Sequence, residues 1–132
     1  MAAYPPGSTF KTLQALIGMQ DGVITENSGF PCIKSLVGCH NHPTAASVEL
    51  SVKMSCNPYY YSVFKRIIQK GKAKSIYKDS EIGLGIWAKQ VQKFGLGQTL
   101  ETDLPGIKSG VVPGVNFYNR WFNPNYFVLL CQ

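Results

Sequence analysis

The chain has 132 residues, with 13 Lys and Arg against 7 Asp and Glu and a formal charge of +6, which allows one domain with a modest core. No apolar run approaches the length of a membrane span and the first residues lack the charged-then-apolar order of a signal peptide, so neither anchor nor export signal is expected within it. The positive charge gathers at Lys65, Arg66, Lys70, Lys72, Lys74 and Lys78 with no nucleic-acid motif beside it, so the expectation is a solvated face and no nucleic-acid partner; an anionic membrane or wall polymer is the alternative.

In chain order, Tyr4-Pro5-Pro6 favours an extended approach and Gly7 permits a sharp turn. Apolar residues at helical intervals (Phe10, Leu13, Leu16 or Ile17) then predict a helix from Thr9 to Gln20, ended by Asp21-Gly22. Two short apolar stretches around Lys34-Ser35, within Phe30 to Cys39, could pair as a small hairpin. A second helix is expected from Thr44 to Met54, burying Ala45, Val48 and Val52. A third runs from Pro58 to Gln69 with Tyr60, Phe64 and Ile67 or Ile68 on one face, Pro58 in its first turn and Gly71 past its end. A fourth, Ile82 to Phe94, sets Leu84, Trp87, Val91 and Phe94 on a core stripe. From Gln98 onward Gly, Pro and Asn predict loops, with a short helix near Phe117 to Trp121.

Chemistry concentrates at two places. Ser8 and Lys11 are three residues apart at a helix mouth, so they share a face, and a lysine amine with its pKa lowered by burial can take the serine proton. A helix-capping serine beside a solvated lysine is the alternative. Farther on, Ser55-Cys56-Asn57 supplies a second hydroxyl and an amide, followed by Tyr59-Tyr60-Tyr61.

With these motifs the chain resembles the transpeptidase domain of class B penicillin-binding proteins, of the penicillin-binding protein 2 type. The matching stretches are Tyr4 to Lys11, Gly22-Val23-Ile24, Cys39-His40-Asn41-His42, Ser55 to Tyr61, and Phe94-Gly95-Leu96-Gly97 on to Asp103-Leu104-Pro105-Gly106. The resemblance implies a peptidoglycan D,D-transpeptidase that cross-links cell-wall stem peptides ending in D-alanyl-D-alanine and is acylated by β-lactams. It makes Ser8 the nucleophile and Lys11 its general base, with Ser55 relaying the proton toward the leaving nitrogen. Asn57 would hold the substrate amide and help to keep Lys11 neutral. The parent would be membrane-anchored, with its catalytic domain on the periplasmic face of the inner membrane. The family's third motif, Lys-Ser/Thr-Gly on a sheet-edge strand, has one candidate, Lys108-Ser109-Gly110, which lies in a Pro/Gly-rich stretch without a strand pattern and reads as a decoy. Residues 1–132 are therefore expected to be a single partial domain, mainly α-helical, with at most a small β-hairpin and without the central sheet. Catalytically inactive alone, it would expose an apolar face of the first helix (Phe10, Leu13, Leu16, Ile17) and favour a homo-oligomer. Two alternatives stand beside it: a serine β-lactamase or β-lactam sensor domain, and a non-catalytic zinc-stapled structural module.

Cys32, Cys39, His42 and Cys56 form a Cys-x6-Cys-x2-His-x13-Cys series that offers three thiolates and an imidazole to a tetrahedral ion. The resemblance also implies a structural zinc here, with no cofactor needed for catalysis. His40 is the substitute ligand if His42 points away. A Cys32–Cys39 disulfide with Cys56 buried and free is the alternative. Cys131 has no evident partner in the sequence.

Overall fold

A computed structural model describes residues 4–99, 101–103 and 105–121. Among these, a 3-10 turn at Gly7–Thr9 leads into α1 (Phe10–Gln20), followed by α2 (Val48–Lys53), α3 (Asn57–Ile68), α4 (Ile76–Lys93) and α5 (Val115–Trp121). Among the described residues no strand forms, and β pairing is limited to an isolated antiparallel bridge between Phe30 and Ala45. The fold is thus mainly α, as expected, and no described helix is long and apolar enough to cross a membrane.

Local chemistry sets the boundaries. Gly7 takes φ +60°, and the Thr9 hydroxyl donates to the Pro6 carbonyl at 2.6 Å, so the chain turns from the proline segment straight into α1. Gly22, at φ +68°, ends that helix while its amide and that of Val23 bond back to Met19 and Gly18 carbonyls. The second helix begins at Val48, not Thr44. Ala45 is spent on the bridge to Phe30, and the Ser47 hydroxyl caps the helix by accepting the Leu50 amide at 3.2 Å. Ala45 is buried as expected, but Val52 is 41% exposed and Ser51 takes the inward position. In place of the hairpin, Ile33 to Leu36 make a turn closed by a 3.1 Å amide-to-carbonyl bond.

α4 starts at Ile76, six residues before the expected Ile82. Its first turn is fastened by Asp79, which is 4% exposed and accepts the backbone amides of Gly71 at 2.8 Å and Lys72 at 2.6 Å. The carboxylate thereby ties the α3–α4 connection to the helix it precedes. Phe94, expected in the core stripe, is 50% exposed because the helix stops at Lys93 and the chain turns away at Gly95, φ +83°.

α1 lies against α3 and α4. Trp87 is the hub: Phe10 and Phe64 meet it edge-on at 6.1 and 5.1 Å, and its indole N–H donates to Gln14 Oε1 at 2.9 Å. Beyond it Phe30 stands edge-on to Tyr59 at 4.9 Å, and the Tyr59 hydroxyl donates to the Ser28 carbonyl. Ile17 is wholly buried, and Phe10 and Leu13 pack on the core, so of the expected open face of α1 only Leu16 is exposed. The basic cluster is partly consumed by structure: Lys70 pairs with Asp21 and Lys78 with Glu81, both at 2.8 Å, and Arg66 lies over the Phe30 ring.

Candidate active site

Ser8 is exposed in the 3-10 turn and Lys11 follows in the first turn of α1, so both side chains look out of the same helix mouth. Facing them is the corner between α2 and α3. Ser55 adopts φ +50°, a left-handed conformation that a non-glycine residue rarely takes. That twist turns the Ser55 carbonyl and hydroxyl together toward Lys11, whose Nζ lies 2.7 Å from each. Asn57, the first residue of α3, accepts from Lys11 through Oδ1 at 2.6 Å. The Ser8 hydroxyl lies 3.2 Å from Lys11 Nζ and 2.9 Å from Ser55 Oγ.

The partners decide what the amine can do. The Ser55 carbonyl and Asn57 Oδ1 are acceptors only, so they fix two N–H directions of Lys11. The Asn57 amide cannot reverse without cost, because its Nδ2 donates to the Gly38 carbonyl at 2.7 Å. What remains of Lys11 faces the two hydroxyls: a third N–H when charged, a lone pair when neutral. Burial holds the Lys11 pKa below its ordinary value, with negative charge at Cys39 and Cys56 pulling the other way. A neutral Lys11 can therefore accept a proton from Ser8 directly or through Ser55. A cavity of about 350 Å³ opens beside Lys11 and Asn57, walled by Phe10, Val37, Tyr61 and Trp87.

Directly behind this corner, Cys32, Cys39, His42 and Cys56 bring one donor atom each to within 4.8 Å of one another. His42 Nε2 lies 3.5 Å from Cys32 Sγ and 3.2 Å from Cys39 Sγ. A tetrahedral zinc with bonds of about 2.3 Å to sulfur and 2.0–2.1 Å to nitrogen would set such donors about 3.6 Å apart, so the group fits the ion. The orientation also fits: His42 Nδ1 lies 2.6 Å from the Pro43 carbonyl, which places the proton there and leaves the Nε2 lone pair for a metal. His40 is exposed and its substitution for His42 is not needed. Burial pushes the Cys39 thiol up, but the Asn57 amide, His42 and Cys32 outweigh it and bring it down to about 7. Cys56, wholly buried, is pushed up to about 12, first by burial. The three cysteines are unpaired, so the Cys32–Cys39 disulfide is not formed in this structure.

Every residue singled out in Ser-x-x-Lys, in Ser-x-Asn and in the Cys/His series is thus brought to one place. Lys108-Ser109-Gly110 is not: it is exposed irregular backbone, with no strand. Cys131 lies outside the described residues, as does Leu104 of the Asp103 to Gly106 loop. Two contributors carry no sequence signal, the carbonyls of Gly38 and Ser55, since backbone groups are common to all residues. Position alone hinted at them, beside Cys39 and inside Ser-x-Asn.

The model of the penicillin binding protein transpeptidase domain family matches residues 2–123. No significant match was found among curated proteins or among solved structures.

Proposed function

Because the chain belongs to the penicillin-binding protein transpeptidase domain family, we propose that it is the serine-bearing part of a peptidoglycan D,D-transpeptidase of the penicillin-binding protein 2 type. The observation that carries this is the unbroken hydrogen-bond path Ser8–Ser55–Lys11–Asn57. Ser8 Oγ attacks the carbonyl of the penultimate D-alanine while its proton passes to Lys11. Ser55 returns a proton to the departing D-alanine nitrogen, leaving an acyl ester on Ser8. The amine of a second stem peptide then attacks that ester, forms the cross-link and gives its proton back along the same path. Asn57 holds Lys11 through Oδ1, and the second hydrogen of its Nδ2, not used by Gly38, is free for a substrate carbonyl. β-Lactams would acylate Ser8 as mimics of the same dipeptide.

In this proposal residues 1–132 are one partial domain, and the parent is anchored at the periplasmic face of the inner membrane. The cysteine and histidine group holds a structural zinc, which supplies a rigid staple behind the catalytic corner and takes no part in proton transfer. A homo-oligomer, if formed, would draw on Leu16 together with the exposed Phe94, Leu96 and Val111, not on the whole face of α1.

The test compares the isolated chain with the complete domain, using a fluorescent penicillin. The complete domain should be labelled at Ser8, and Ser8→Ala should abolish labelling. In the resembled family a backbone N–H beside the third motif on its strand completes the oxyanion hole; no strand forms among the described residues, so the isolated chain should stay unlabelled on the same timescale, since losing one such donor costs on the order of a hundredfold or more. Stoichiometric labelling of Ser8 in the isolated chain within minutes would overturn this and raise Lys108-Ser109-Gly110 to a working third motif.

A further inference from the structure

The cysteine loop does not merely lie near the catalytic corner; it holds Asn57 by two bonds. Cys39 Sγ accepts the Asn57 backbone N–H at 3.3 Å, and its neighbour Gly38 accepts Asn57 Nδ2 at 2.7 Å. Those two contacts leave Oδ1 pointing at Lys11. Cys32 and Cys39 have their sulfurs within 4.8 Å and are both unpaired and partly exposed, whereas Cys56 is fully buried beneath them. An oxidant arriving from solvent therefore meets Cys32 and Cys39 first.

We propose that Cys32 and Cys39 are a reversible thiol switch, closing to a disulfide that draws the Gly38-Cys39 segment off Asn57 and so disarms the acylation site. The switch presupposes that Ser8, Lys11 and Asn57 are the acylation residues, as set out above. In the closing step the two thiols give up two protons and two electrons to a disulfide oxidant, small molecule or protein, whose two sulfurs leave as thiols. One S–S bond forms in the chain and one breaks in the oxidant. The new bond is about 2.05 Å long, so the two sulfurs must move together from their present spacing. Cys39 sulfur then becomes a poorer acceptor for the Asn57 amide, and Gly38 travels with it. Two of the four metal donors are consumed in the same event, so a loaded site would release its ion.

The experiment uses the complete domain, reduced and then exposed to a small disulfide oxidant. Three readouts are taken: peptide mapping of the cysteines, ion release to a chromogenic chelator, and the rate of penicillin labelling at Ser8. The expected result is a Cys32–Cys39 linkage, release of bound zinc, and labelling slowed roughly ten- to hundredfold, the usual effect of losing a supporting contact behind a site. A dithiol should restore the rate. Cys32→Ser, which cannot close the bond, should label at a rate indifferent to oxidant; if that variant does not fold, mapping and labelling of the wild-type protein decide alone. A Cys32–Cys39 linkage that leaves labelling unchanged, or oxidation that joins other cysteines, overturns the switch. Failure of the reduced protein to label at Ser8 at all would instead refute the transpeptidase assignment, before any oxidant is added.

Discussion

Replacing Gly83 by alanine is expected to cost about 3 kcal/mol, the upper end of the range for forcing an extra carbon into a packed interior. Gly83 lies where α4 crosses the end of α3, and a Cβ built there would run into the Ile68 carbonyl oxygen and stand 2.5 Å from its carbonyl carbon. These are backbone atoms, which cannot swing aside as a side chain could. The helices must separate, and Ile67, Ile68 and Leu84, all nearly fully buried, lose their contacts together. Gly85, two residues on, provides the contrast. A Cβ there would meet only Val115 at 3.7 Å, an ordinary contact. Gly85→Ala should therefore be neutral or more stable, by up to about 1 kcal/mol from helix propensity. Urea unfolding of the three proteins measures both, and equal midpoints for the two alanine variants would refute the crossing. The effect should reach the catalytic corner as well, since the helix displaced at Ile68 begins with Asn57.

The way Ser8, Lys11, Ser55 and Asn57 meet was legible because the roles proposed for them depend on side-chain types at fixed spacings, and the same holds for Cys32, Cys39, His42 and Cys56, which lie close enough together to hold a metal. Helix interiors were legible too: Leu84, Trp87 and Val91 are buried as their period requires. The ends were not, because local polar groups rather than apolar stripes set them. α4 extends back to Ile76 although Ile76 and Tyr77 are about half exposed. Asp79 anchors that turn by accepting two amides from a loop seven and eight residues upstream, a contact with no periodic trace. Ala45 fitted a helical pattern, yet the long-range pairing with Phe30 claimed it. The left-handed Ser55 was equally hidden, since nothing in a serine announces positive φ. Strain of that kind persists only where surroundings over-determine it, and here Lys11 bonds Ser55 twice while its neighbour Cys56 is locked in the core.

Removal of the metal is expected to have a large effect, and Cys56→Ser a larger one. The purified reduced chain should carry about one equivalent of zinc, held at about 2.3 Å by sulfur and 2.0–2.1 Å by nitrogen. An ion present at a thousandfold over its dissociation constant stabilises the native state by about 4 kcal/mol, and a chelator takes that away. The chain should not unfold outright as a zinc finger does, because the core that includes Cys56 extends through Tyr59, Val63 and Ile67 of α3 to Leu84 and Val91 of α4, whose packing does not require the ion. Melting should instead begin in the segment from Phe30 to His42, which is joined to α3 by Phe30 against Tyr59 and Arg66 and by Gly38 and Cys39 on Asn57. Cys56→Ser removes a ligand and also places a hydroxyl at a wholly buried position in the core, which adds about 1–3 kcal/mol if no partner accepts it. Amide exchange should show the difference: with chelator, protection is lost first at Asn57, whose N–H depends on Cys39 sulfur, while the middle of α3 stays protected. Elemental analysis finding no metal in the reduced, folded chain would refute the zinc site. Equal protection of Asn57 with and without chelator would separate the ion from the proposed catalytic corner, because the contacts between them run through Gly38 and Cys39 onto Asn57 and through Cys56 to its neighbours Ser55 and Asn57.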